Sequence, residues 1–180
     1  MMKFEDIPRF INSPNYQINV PWKGIERTLK SWNELNTLDL NPDFQRGHVW
    51  TRTKQIEFVE FCLRGGRSSR VILFNNPGWM NKFEGALVLV DGKQRLEAVR
   101  KFMRNKLPIF NGIYLKKFDN PNRLLRSLDA DLIFSVNNLQ TRTELLQWYL
   151  QLNTGGVVHT KKEIDKVKAL LAKEKLPVQP

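Results

Sequence analysis

Five consecutive residues, Asp91-Gly92-Lys93-Gln94-Arg95, gather a carboxylate, a glycine, an amide and two cations. Asp91 could hold a divalent cation or orient a water. Gly92 lets a ligand approach the backbone closely. Lys93 and Arg95 can neutralise phosphate oxygens, the arginine in bidentate fashion. The combination suits a phosphate-bearing ligand accompanied by a metal ion. The plainer alternative is that Asp91 caps a helix and the cations decorate its surface. Asp-Gly turns are common, so the five residues alone are a weak signal.

The flanking segments strengthen it. Ala86-Leu87-Val88-Leu89-Val90 is a continuous apolar run that predicts a buried strand. Leu96, Val99 and Met103 recur at helical spacing, so the motif falls on a strand-to-helix turn. Such a turn aims backbone N–H groups and a positive helix terminus at whatever lies above it. Lys93, Arg100 and Arg104, with Lys101 beside them, form a basic stripe opposite Leu96, Val99 and Met103. Most such stripes are solvated faces. This one begins at the suspected ligand site and could extend recognition to a polyanion.

Two further segments carry chemistry-bearing side chains. Asn41 to Trp50 is extended by Pro42 and bounded by Phe44 and Trp50 as expected core anchors. Within it Gln45-Arg46 repeats the Gln94-Arg95 pair. Arg46 could reach a phosphate and Gln45 a base edge or an attacking water; a structural loop with Arg46 paired to a carboxylate accounts for the segment equally simply. Asn153-Thr154-Gly155-Gly156-Val157 reads as a helix end capped by glycines, or as a glycine-rich strip against a ligand if the fold brings it near Asp91. His48 and His159 are the only histidines and show no metal-ligand spacing. Cys62, the single cysteine, lies on an apolar helix face and is expected to be a buried, inert thiol. No Walker A sequence or dinucleotide fingerprint is present.

The remaining elements follow from periodicity. Tyr16 to Val20 predicts a strand and Lys23 to Trp32 a helix, with Ile25, Leu29 and Trp32 on one face. Leu38 to Pro42 is expected to break regular structure. A helix starts at Thr51 or Thr53, with Ile56, Val59 and Leu63 on one side and Phe58 and Cys62 beside them, and stops at Gly65-Gly66. Val71 to Phe74, Ile113 to Leu115 and Leu132 to Val136 read as strands. Thr143 to Leu152 reads as a helix presenting Leu145, Leu146, Tyr149 and Leu152. Thr160 and Glu163 form a capping box for a last helix with Ile164, Val167 and Leu171 inward. This alternation without long regular crossovers predicts an α+β domain, a small mixed sheet packed with helices. Residues 1–37 are expected to form an extension packed on a domain of residues 38–175, with a frayed tail over 176–180.

At 180 residues and 41% hydrophobic, the chain can bury one core. Residues 1–10 lack the apolar stretch of a signal peptide, and no run approaches membrane-spanning length. A cytoplasmic protein without a membrane partner is expected. Charge is one-sided. Through Trp50 six basic residues face six acidic ones, whereas 23 face 12 from Thr51 onward, which carries the whole net charge of +11. That asymmetry suggests an anionic partner, nucleotide or nucleic acid.

Asn41-Pro42-Asp43-Phe44-Gln45-Arg46 with Val49-Trp50, then Asp91-Gly92-Lys93-Gln94-Arg95-Leu96, then Leu152-Asn153-Thr154-Gly155-Gly156 resemble, in this order, the N-terminal domain of GmrSD-type modification-dependent restriction enzymes. That domain is similar to the ParB/sulfiredoxin-like superfamily, and the likeness runs from about Leu38 to Leu171. It implies a ParB-like α+β fold that binds and hydrolyses a nucleoside triphosphate with Mg²⁺, in defence against foreign DNA. By this resemblance Asp91, Gln94 and Arg95 are the catalytic residues and Asp91 the metal ligand. Gln45, Arg46, Gly92, Lys93, Asn153 and Gly155 bind the nucleotide. Arg100, Lys101 and Arg104 remain the candidates for DNA contact. The family has a glutamine where Lys93 stands, which implies stronger phosphate binding and slower hydrolysis. The family's His-Asn-His nuclease segment is missing from the sequence, so the resemblance implies a stand-alone relative, a subunit acting with a separate nuclease, or a binding protein that has lost catalysis. Two rival readings stay open: a non-catalytic nucleic-acid-binding adaptor, and a ParB-like DNA endonuclease.

Overall fold

A computed structural model describes residues 16–45, 50–79, 81–125, 130–154 and 161–174. Five strands form one mixed sheet in the order β1-β5-β3-β4-β2. They are β1 (Tyr16–Pro21), β2 (Leu38–Asp39), β3 (Val71–Asn75), β4 (Leu87–Asp91) and β5 (Asp131–Asn137). β5 runs parallel to β3 and antiparallel to β1, while β4 runs antiparallel to β3 and parallel to β2. The α+β expectation therefore holds at the level of a mixed sheet packed with helices.

Helices cover both faces because the central strands are apolar on both. On one face α1 (Ile25–Leu35), α2 (Arg52–Leu63) and α3 (Lys93–Met103) bury Ile25, Leu29, Phe58, Val59, Cys62, Leu96, Val99 and Phe102 against Ile72, Phe74, Leu87, Leu89, Leu132 and Phe134. On the other, α5 (Arg142–Thr154) and α6 (Lys161–Glu174) pack Leu145, Leu146, Trp148, Tyr149 and Val167 against Val90 and Phe44. A short α4 (Pro121–Leu124) lies between α3 and β5. Residues 16–37 supply the β1 edge strand and the core residues Val20, Trp22, Ile25 and Leu29.

Three local expectations are corrected. Leu38–Asp39 is not irregular: it pairs with Leu87 and Val88, since Pro42 lies far enough downstream to leave both residues extended. Ile113 to Leu115 is not a strand. Ile113 makes an isolated bridge to Ile109, and Leu115–Lys117 forms one 3₁₀ turn. Leu152 does not face inward but is 36% exposed; Trp148 takes the buried position instead.

The helix that carries the candidate site starts where the sequence demands it. Asp91 ends β4, and Gly92, at φ 95°, reverses the chain. Glycine is required there on two counts. A Cβ would lie 2.6 Å from Ile72 Cδ1 and 3.1 Å from Ile72 Cα, and the left-handed backbone disfavours any other residue. α2 begins at Thr51, whose hydroxyl accepts from Lys54 N at 3.3 Å. α5 begins with a capping box: Thr141 Oγ1 accepts from Glu144 N at 3.2 Å, and the Glu144 carboxylate accepts from Thr141 N at 3.0 Å. The Thr160 box expected for α6 lies outside the described side chains, but Val167 of that helix is buried and Leu171 half-buried as expected. Among the described residues no helix is long and apolar enough to cross a membrane.

Candidate functional site

The β4–α3 turn presents an uncapped helix amino terminus. Gly92 has no side chain to offer, and the first intrahelical bond runs from Leu96 N to Gly92 O. The N–H groups of Lys93 and Arg95, in the first turn, have no i−4 partner within the helix. Beside the turn lies a cavity of about 290 Å³ lined by Leu40, Asn41, Leu89, Lys93, Leu96, Glu97, Arg100 and Lys101. Lys93, Leu96, Glu97, Arg100 and Lys101 share one side of α3 because they follow helical spacing. The leucines make an apolar floor, with amide, carboxylate and ammonium groups around it.

The tertiary structure divides the Asp91–Arg95 motif among three tasks. Lys93 lines the cavity and has no side-chain partner among the described residues. Gln94 turns away: its Oε1 accepts from Trp50 N at 3.1 Å. Arg95 pairs with Asp91 one helical turn earlier, Nη2 to Oδ2, and neither residue lines the cavity. The Asp91 side chain remains 45% exposed.

Gln45 has an equally specific role. Its amide donates to Leu89 O on β4, while Phe44 packs edge-on against Tyr149, centroids 5.0 Å apart. Gln45 and Trp50, the residues either side of the segment that holds Arg46, are therefore both fastened to the β4–α3 unit. Arg46 itself lies outside the described residues, as does Gly155. Asn153 donates to Tyr149 O within its own helix, and no bond joins it to the Asp91 turn among the described residues.

The basic stripe is differently engaged from a free cationic face. Arg100 Nε and Nη2 bond the two carboxylate oxygens of Glu26 on α1 at 2.7 and 3.1 Å, and Arg104 Nη2 reaches Glu26 Oε1 at 3.0 Å. Hydrogen bonding to Arg100 holds the Glu26 carboxyl below its ordinary range, and the same bond raises the Arg100 guanidinium. Lys101 Nζ donates to Gln55 Oε1 at 3.2 Å, and Gln55 Nε2 donates to Trp50 O at 3.1 Å.

Asn41, Glu97 and the leucine floor escaped sequence reasoning. Nothing local marks Asn41 as a neighbour of α3; β2 brings it there by pairing with β4. Gln55 could have been found, as a buried amide on an otherwise apolar helix face. Cys62 is buried beneath the Arg70–Asp131 pair, and desolvation pushes its thiol up to about 11, so it is not a nucleophile.

The described residues contain no group of three histidine, cysteine or acidic side chains placed to hold a metal ion. No family model matches the chain, and no curated protein or solved structure matches it.

Proposed function

We propose that this chain is a nucleotide-binding domain of ParB-like fold that takes a nucleoside triphosphate at the β4–α3 turn and works with DNA and a separate nuclease. The observation that carries the reading is the cavity beside a helix terminus without a side-chain cap, with Lys93 in its lining and without a side-chain partner among the described residues. Phosphate oxygens would accept from the first N–H groups of α3 and pair with Lys93. The leucine floor suits the face of a base, and Asn41, Glu97 and Lys101 supply donors and acceptors for its edge or for ribose hydroxyls.

The donor set fits a magnesium ion that arrives with the nucleotide. Mg²⁺ keeps much of its water and takes one or two carboxylates besides phosphate; Asp91 at the adjoining turn would be its ligand, with Glu97 the carboxylate that lines the cavity itself. Bound there, it would neutralise phosphate charge and favour attack by water. Arg95, now paired with Asp91, would supply a guanidinium for the phosphates. Gln94 acts as a positioning residue, because its amide oxygen holds Trp50 N. A nucleotide is favoured over the adaptor reading because Arg100 and Arg104 are already joined to Glu26. The single carboxylate at the turn likewise favours it over direct DNA cleavage, which generally uses two metals.

Calorimetric titration with each of the four Mg²⁺–nucleoside triphosphates tests the assignment. Binding of at least one is expected, weakened at least ~10-fold by Lys93→Glu through lost charge pairing. Asp91→Ala should remove the magnesium dependence of the affinity. Equal affinity in wild type and Lys93→Glu would overturn the site. Phosphate release, measured alongside, reports whether the bound nucleotide is turned over.

A further inference from the structure

The far edge of the sheet carries a second feature, remote from the β4–α3 turn in strand order. β1 is an end strand, and among the described residues nothing pairs with its outer side. Its hydrogen-bonding parity can be worked out. Trp22 N donates to Ala130 O at 2.9 Å, and the β1–β5 register pairs Val20 with Leu132, Ile18 with Phe134 and Tyr16 with Val136. Antiparallel pairs alternate between bonded and non-bonded. The even-numbered residues therefore bond β5, and Gln17, Asn19 and Pro21 turn their backbone groups outward. The position of Pro21 agrees, since proline is tolerated where its missing N–H faces away from the ladder.

Beside this edge runs a groove of about 370 Å³ lined by Ile18 to Pro21 from β1, by Lys23 and Gly24 from the 3₁₀ turn that precedes α1, and by Arg27 and Thr28 from the first turn of α1. Four consecutive strand residues line it. Side chains alternate between faces along a strand, so the groove follows the edge of β1 and not one face. Lys23 and Arg27 are exposed and have no side-chain partner among the described residues, while the intervening Glu26 is committed to Arg100 and Arg104. The edge strand itself, Tyr-Gln-Ile-Asn-Val-Pro, bears no charge. Exposed edges are commonly guarded by lysines, proline, bulges or short length; this six-residue strand has only Pro21, at its last position, and leaves Gln17 and Asn19 unguarded.

We infer that β1 receives an extended acidic peptide segment of a partner protein, added as a sixth strand, with its carboxylates read by Lys23 and Arg27. Backbone bonds to Gln17, Asn19 and Pro21 would set its register, and alternate side chains would face the two cations. A second copy of this chain would bring the same uncharged β1 and nothing to answer Lys23 and Arg27, so charge complementarity favours the acidic partner. The same geometry suits a peptide better than a nucleic-acid strand, because the unpaired groups are strand amides and carbonyls in ladder register.

The probe is a short fluorescein-labelled peptide of alternating glutamate and valine, followed by anisotropy, with an alternating lysine–valine peptide as control. The acidic peptide is expected to bind saturably and the basic one not. Arg27→Glu, at an exposed position, should weaken binding at least ~10-fold by placing like charges together. Asn19→Pro should do the same by deleting one outward N–H while leaving the bonds to β5 intact; circular dichroism checks that it folds. Methylating the backbone amides of the peptide should abolish binding if the contact is a β ladder. The inference is overturned if the acidic peptide does not bind, if both peptides bind alike, if binding survives Asn19→Pro or amide methylation, or if a single-stranded oligonucleotide displaces the peptide. Nucleotide binding at Lys93 is unaffected by either substitution on this reading, so the two sites fail or stand separately.

Discussion

Gly92 shows how one residue can look functional for a reason that turns out to be packing. The left-handed turn could have served close approach by a ligand, but the direction a Cβ would take points at Ile72 on the neighbouring strand. Gly92→Ala must therefore strain the backbone and push β3 away from α3. A loss of about 2–3 kcal/mol in urea unfolding is expected from the positive φ and the tight contact together, with nucleotide affinity falling as the α3 terminus shifts. Unchanged stability would mean the turn relaxes freely. The types of Lys93, Gln94 and Arg95 were legible in the sequence, whereas their separate tasks were not. Successive helical positions point about 100° apart, so three neighbours in sequence face a cavity, a loop and a carboxylate.

Among the elements, α3 is the one that joins the site to the rest of the fold. Its inner face buries Leu96 and Val99 as periodicity predicts, together with Ala98 and Phe102, whereas the expected Met103 is only partly buried. Its outer face was expected to be a free basic stripe and is instead bolted to α1 through Glu26. A carboxylate held below its ordinary range contributes stability above the pH at which the unfolded group titrates, and loses it as pH falls through the depressed folded value. The wild type should thus exceed Glu26→Gln by up to ~1 kcal/mol near neutrality, a modest figure because the pair is partly solvated. The difference should diminish as pH falls below the ordinary glutamate range and through the depressed folded value, and shrink in high salt. Denaturant midpoints of both proteins from neutral to acid pH measure it, and a difference that does not change with pH would contradict the assignment. The sequence could not show this link, since residues 26 and 100 are brought together only by both helices lying on one sheet face.

For the molecule as a whole, the single thiol is a built-in reporter of cooperativity. Cys62 sits in the larger core cluster, fully buried, under Arg70, whose guanidinium bonds Cys62 O, Gly66 O and Asp131. With its pKa pushed up to about 11, it has neither exposure nor thiolate character at pH 8. Iodoacetamide should label it only through global opening, so its rate should rise with urea along the same free-energy line as unfolding followed by circular dichroism. Rapid labelling in native buffer would reveal a local opening of α2 from the sheet. By itself the sequence determined which segments are helices and strands wherever apolar periodicity was long, that the sheet is mixed and helix-packed, and that a strand-to-helix turn concentrates phosphate-suited groups. These are local properties, fixed by backbone dihedral preference and side-chain period. Only the tertiary structure decided that Leu38–Asp39 is a strand, that Asn41 meets α3, that Glu26 engages Arg100 and Arg104 while Lys93 has no side-chain partner among the described residues, and that no described strand pairs with the outer side of β1. Those outcomes depend on strand order and on which side chains meet across the core, and no local preference in the chain encodes a neighbour many residues away.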